Sequence, residues 1–161
     1  RGLMGYTSRF LTLTKGTGVI NRIFHGYGKF EGEMDGRKNG ALISMANGKA
    51  VAFAIFNLQA RGEMFVTHND PVYEGMIVGL APKPGDMIIN VMKGKQLTNM
   101  RTQGTDENVV LTPVRQMSIA EQLSMLNTDE ALEITPKSLR LRKAILNPND
   151  RKKNEKSSTP L

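Results

Sequence analysis

The apolar positions of this chain fall in short runs, and their period changes along the sequence. Leu3, Phe10, Leu11 and Leu13 keep helical spacing, and Lys15-Gly16 supplies a cation in the last turn and a glycine just beyond it, so a helix is expected over residues 3–14. Val19 to Tyr27 alternates instead, with Val19, Ile23 and Tyr27 set among Asn21, Arg22 and His25, which predicts a strand. Residues 26–40 hold Gly26, Gly28, Gly32, Gly36 and Gly40 among charges, the composition of a linker. Beyond it, strands are expected at 41–46, 64–67, 76–80, 87–91 and 109–111, separated by turn clusters such as Asn69-Asp70-Pro71 and Pro82-Lys83-Pro84-Gly85-Asp86. Val51, Ala54, Ile55 and Leu58 follow the i, i+3, i+4, i+7 stripe, and Gly62 offers a stop, so 51–61 reads as a helix buried on more than one side. Ser118 and Glu121 have capping-box spacing, which starts a short helix with Ile119, Leu123 and Leu126 facing inward. Asp129 and Glu130 then fall in a loop, and residues 131–135 and 138–145 alternate as strands. In the second, Leu139 and Leu141 take one face and Arg140 and Arg142 the other, with Lys143 at the margin of that positive face. Asn149 to Leu161 has no periodicity and is expected to be disordered.

These elements give an α+β fold: the tail of an α/β sandwich, then a mainly antiparallel, barrel-like β domain with two helices. The boundaries expected are 1–30 for the first unit, 31–40 for the linker, 41–147 for the second domain and 148–161 for a basic tail. A chain of 161 residues can build a core without staples, since about 68–70% of the unfolded surface is buried at this size. It contains no cysteine, which excludes disulfides and thiolate metal sites. The ten methionines, spread through presumed core segments, act as gap fillers. No apolar run is long enough to span a membrane, and residues 1–18 lack the apolar core of a secretory signal. A start at Arg1 rather than Met suggests a piece of a longer protein.

Charge sharpens the picture. Of the net +7, residues 137–156 carry eight cations against Asp150 and Glu155, or +6. Such asymmetry points to a polyanionic partner, and nucleic acid is favoured over lipid because no apolar face accompanies the charge. A second basic stretch, Met92 to Glu107, joins two strand-like runs and has no apolar period of its own. Sixteen residues is long for an idle connection. Lys93, Lys95 and Arg101 suit phosphates; Gln96, Thr98, Asn99, Thr102, Gln103 and Thr105 suit base edges and 2′-hydroxyls. Gly94 and Gly104 allow close backbone approach, and Leu97 and Met100 complete a candidate RNA-binding segment. Arg140, Arg142 and Lys143 form the second candidate surface.

Catalysis finds little support. Gly94-Lys95 and Gly48-Lys49 lack the first glycine and the hydroxyl of a P-loop. His68 and Asp70 read as a hydrogen-bonded turn rather than a hydrolase pair, because no nucleophile motif accompanies them and they are too few to ligate zinc. Asp106-Glu107 are adjacent and would point to opposite faces of a strand. No cofactor is expected for these residues.

Five motifs in order closely resemble one family: Leu58-Gln59-Ala60-Arg61-Gly62, Val72 to Gly79, Gly94 to Arg101, Gly104-Thr105-Asp106-Glu107 and Thr135 to Lys143. Together they are similar to the C-terminal part of the BipA (TypA) translational GTPases of the elongation-factor-G type, over roughly residues 1–153. The resemblance implies that residues 1–30 end a ferredoxin-like domain five and that the rest is the C-terminal domain peculiar to the family. It implies a cytoplasmic, monomeric, membrane-free protein of translation, ribosome assembly and stress response that binds the ribosome. The segment matching Lys93 to Glu107 would reach large-subunit rRNA and the A-site tRNA acceptor end. GTP and Mg would belong to a parent protein's catalytic domain, not to these residues. Two departures stand out: Ala81-Pro82-Lys83-Pro84 replaces a polar turn, which puts an RNA contact there in doubt, and Gln116 stands where the family has arginine. A general structured-RNA-binding module and a His68/Asp70 hydrolase are the alternative readings.

Overall fold

The structure, a computed structural model, describes residues 6–29, 37–94 and 110–158. Helix α1 (Tyr6–Leu13) ends as its sequence dictates, with Lys15 and Gly16 at φ 51° and 80° and the Gly16 amide donating to the Leu11 carbonyl at 2.7 Å. The strand expected over 19–27 does not form: the segment has no regular secondary structure and no ladder partner among the described residues, and Val19, Ile23, Phe24 and Tyr27 are exposed. An isolated strand has no second edge to satisfy its amides, so alternation alone is insufficient.

The rest is built around β1 (Ala41–Ser44), four residues buried throughout. Its successors are β2 (Gly48–Lys49), α2 (Ala52–Gln59), β3 (Glu63–Met64), β4 (Pro71–Val72), β5 (Ile77–Leu80) and β6 (Met87–Ile89). A four-stranded sheet runs β3-β5-β1-β6, antiparallel except for the parallel β1–β6 pair, which aligns Leu42 with Met87 and Ser44 with Ile89. The strands β2 and β4 pair separately. Alternation along β1 divides the interior. Leu42 joins Ile55, Leu58, Val78, Ile89 and Val91 in a cluster under α2, whereas Ala41 and Ile43 join Ile77 and Leu141 beneath a hairpin on the opposite face.

That hairpin is β7 (Glu130–Ile134) with β8 (Leu139–Lys143), in register from Glu130↔Lys143 to Ile134↔Leu139. Its turn is closed by the Thr135 amide on the Ser138 carbonyl and the Ser138 amide on the Thr135 hydroxyl. The described residues do not form the expected barrel. Among the described residues the strands form three small sheets and none closes. Residues 110 and 111 form no strand, and of residues 64–67 only Met64 lies in one.

Two helix details differ from expectation. Gly62 does not cap α2 with a left-handed turn; a Cβ there would lie 2.0 Å from the Leu80 carbonyl oxygen, so glycine is required by close strand approach. Helix α3 (Ile119–Ser124) has its full capping box, but Ile119 and Leu123 are about half exposed while Gln122 is buried. Of the three expected inward residues, only Leu126 packs on the core.

Residues 149–158 are not disordered but lie in α4 (Pro148–Ser158). The Asn147 side chain accepts from the Asn149 amide at 2.8 Å, Pro148 stands at the first helical position, and Asp150 sits in the first turn. Asn then Pro is a helix start here, where low hydropathy pointed to coil.

Candidate nucleic-acid interface

The basic segment leaves the body at Val91, which is fully buried and accepts the Val51 amide at 2.9 Å. Asn90 then turns the chain, its side-chain oxygen accepting from the Met92 amide at 2.9 Å. Met92 packs on the cluster under α2, and the chain returns to that cluster at Leu111. Both roots of the segment are therefore seated in one core. Lys93 is exposed at the first root; residues 95–105, which hold the other candidate contacts of this segment, lie outside the described residues.

The hairpin divides its three cations. Arg140 and Arg142 share the outward face as alternation requires, and each is already engaged. Arg140 faces Glu133 across the ladder at 3.4 Å, and Arg142 donates to the carbonyls of Lys143 and Ala144. Glu133 also accepts the Tyr73 hydroxyl at 2.6 Å. Burial first, then the hydrogen bond to Glu133 and its charge, push the Tyr73 phenol up to about 12.

Lys143 belongs elsewhere, and its place at the margin of that face is corrected. It follows Leu139 and Leu141 to the inner face, is 2% exposed, and meets Asp86 at 2.5 Å, Asp129 at 2.6 Å and Glu130 at 3.1 Å. Glu130, expected in a loop, opens β7 with a fully buried side chain and also receives Arg37 through two bonds of 2.8 and 3.1 Å. Burial disfavours the Asp86 carboxylate, but the Ala41 amide and Lys143 outweigh it and hold the group below its ordinary 3.8. Burial likewise disfavours the Lys143 ammonium, and hydrogen bonds to Asp129 and Asp86 with the charge of Glu130 overcome it, raising the group above 10.5. This network ties the segment ahead of β1 to the hairpin and cannot meet a phosphate. Nothing in the glycine-rich linker composition pointed to Arg37, because its partner lies 93 residues away.

The remaining chemistry is structural. His68 Nδ1 accepts the Ala52 amide at 3.2 Å, supplying the cap that Val51 lacks, and Asp70 accepts the Thr67 amide at 2.7 Å. Asn69 between them is left-handed at φ 69°, a turn and not a catalytic pair. A groove of about 800 Å³ runs between the hairpin and residues 114–117, but its arginines face carboxylates: Arg115 meets Glu63 and Glu121, and Arg140 meets Glu133. Among the described residues no group of side chains is arranged to hold a metal ion, and no helix is long and apolar enough to cross a membrane.

Comparison with known proteins places these features in a lineage. The chain is 47% identical over 162 residues to the large ribosomal subunit assembly factor BipA of Buchnera aphidicola, a match taking in 100% of this chain and 27% of that protein. The protein of the same name from Salmonella typhimurium is 47% identical over 154 residues, covering 95% and 25%, and that of Haemophilus influenzae 42% identical over 160 residues, covering 99% and 26%. The chain thus spans about a quarter of the length of these relatives. The TypA/BipA C-terminal domain family matches residues 39–148, from just ahead of β1 to the first residue of α4, and the chain belongs to that family.

Proposed function

We propose that this chain is the ribosome-binding region of a BipA-type large-subunit assembly factor. It contacts large-subunit rRNA and the A-site tRNA acceptor end through the basic segment 93–105, with Arg140 and Arg142 as a second positive face. The observation that carries the reading is the seating of both roots of that segment, Val91-Met92 and Leu111, in the core cluster under α2. Anchoring of a basic stretch at both of its roots lowers the ordering cost of docking. Lys143 is left out, since its charge is consumed inside the fold. GTP hydrolysis is assigned to the longer parent protein, because this sequence holds no P-loop. Units bounded at about residues 30, 40 and 147 fit the same reading.

The test is alanine substitution of Lys93, Lys95 and Arg101 together, assayed by co-sedimentation with large ribosomal subunits over a salt series. The salt slope is expected to fall by roughly 2 to 3, at about 0.7 to 0.9 for each phosphate contact. Wild-type affinity and slope in a folded triple variant would remove the segment from the mechanism. Equal affinity of the unaltered chain for arbitrary structured RNA and for large subunits would favour the general RNA-binding alternative.

A further inference from the structure

Beside the first root of the basic segment, α2 and the edge strand β6 enclose a recess of about 450 Å³, within the roughly 300–1,000 Å³ of small-ligand sites. Its makeup follows from two periods. Phe53, Asn57 and Arg61 are spaced by four and share one side of α2 and the turn after it; Ile88 and Asn90 are spaced by two and share one face of β6 and its exit. Lys93 closes the rim.

The chemistry of these walls is specific. Among the described residues neither the Arg61 guanidinium nor the Lys93 ammonium has an ion-pair or hydrogen-bond partner, and no carboxylate lines the recess. That sets it apart from the larger groove, whose arginines face carboxylates. The Asn57 Nδ2 donates to the Phe53 carbonyl at 2.8 Å, leaving its oxygen as an acceptor toward the recess; the Asn90 oxygen is taken by the Met92 amide, leaving its NH₂ as a donor. Ile88, 48% exposed on an edge strand, joins the Phe53 ring as apolar wall.

We propose that this recess binds an unstacked nucleotide of single-stranded RNA. The base lies against Phe53 and Ile88, its edge meets the Asn57 acceptor and the Asn90 donor, and the flanking phosphates meet Arg61 and Lys93. Charge complementarity and continuity with the basic segment argue for RNA. The inference rests on the ribosome-binding reading and extends that site onto α2.

The test uses the whole chain and three probes: a fluorescent single-stranded RNA hexamer, an RNA duplex of equal length and a hexaglutamate peptide. Nuclear magnetic resonance of the unaltered chain is expected to show the hexamer shifting the side-chain amides of Asn57 and Asn90, with weaker effects from the duplex and none from the peptide. The Arg61→Ala/Lys93→Ala pair is expected to weaken hexamer binding by about tenfold or more and to lower the salt slope by about 1.4, or 0.7 per contact to a single strand. Phe53→Leu keeps the apolar volume and removes the ring face, so a loss of about fivefold with an unchanged slope is expected. Unmoved Asn57 and Asn90 amides, equal binding of the hexaglutamate, or hexamer affinity in the paired variant within about twofold of the unaltered chain would each overturn the inference. The resonance map needs no variant, so misfolding cannot shield the idea. Failure of the two readings is distinguishable. Hexamer bound in the recess without large-subunit co-sedimentation sinks only the ribosome reading, and co-sedimentation with silent amides sinks only the recess.

Discussion

Replacing Lys143 by Met tests the claim that this lysine belongs to the fold and not to a binding face. Methionine preserves the apolar stem and removes the ammonium from three carboxylates, Asp86, Asp129 and Glu130, all within 3.1 Å. Breaking a buried ion network by removing one partner costs about 3 to 5 kcal/mol. The low end applies because each carboxylate keeps some support. Glu130 retains Arg37, Asp86 retains the Ala41 amide, and Asp129 is 59% exposed and can be hydrated. A loss of about 3 kcal/mol corresponds to a fall in Tm of roughly 6 to 12 °C for a chain of this size. Urea unfolding is the assay, with a lowered midpoint and an unchanged slope as the expected result. The pH dependence has a definite sign. Asp86 is depressed, so its contribution is complete above about 3.8 and is lost as acid passes through the lower folded value; Lys143 is raised, so its contribution is complete below about 10.5 and is lost as base passes the higher one. Lys143→Met should flatten both limbs. Stability within about 0.5 kcal/mol of the unaltered chain, as for an ordinary surface site, together with weakened large-subunit binding, would refute the reasoning and return Lys143 to the positive face.

Two further outcomes follow from the same geometry. Tyr73→Phe removes the hydroxyl held by Glu133 at 2.6 Å and should cost about 1.5 kcal/mol, since the acceptor is charged. In the unaltered chain Tyr73 is raised to about 12, so its share of stability is present below pH 10 and disappears as pH rises toward that value; tyrosinate absorbance of the two proteins checks the late titration step. Asn147→Ala removes the side-chain acceptor at the start of α4, and helical circular dichroism should fall by up to the contribution of that helix with little change in the main unfolding midpoint. The cap is worth about 1 kcal/mol, and α4 has no apolar face to compensate. Unchanged helicity would mean that α4 is held by something other than its cap.

Much of this protein is determined by short-range pattern. The buried run of β1, the stripe of α2, the Ser118–Glu121 capping box and the alternation of β7 and β8 are all legible because each is a local period matched to one geometry. The motifs running from Leu58 to Lys143 likewise lead to the family without any coordinates. Even the inward direction of Lys143 is implicit in its parity with Leu139 and Leu141. What sequence could not supply was a reason for a cation to point inward. That depends on Asp86, Asp129 and Glu130 arriving from other parts of the chain, and on Arg37 reaching Glu130 across 93 residues. A helix start at Asn147 was masked by polar composition, and a strand at 19–27 was suggested by alternation that no neighbouring edge completes. The recess exists only because parallel pairing of β1 with β6 brings Ile88 and Asn90 beside the Phe53, Asn57 and Arg61 side of α2. Periodicity tells which face a residue occupies. Which other face it meets is set by long-range pairing, and that was decided by the tertiary structure alone.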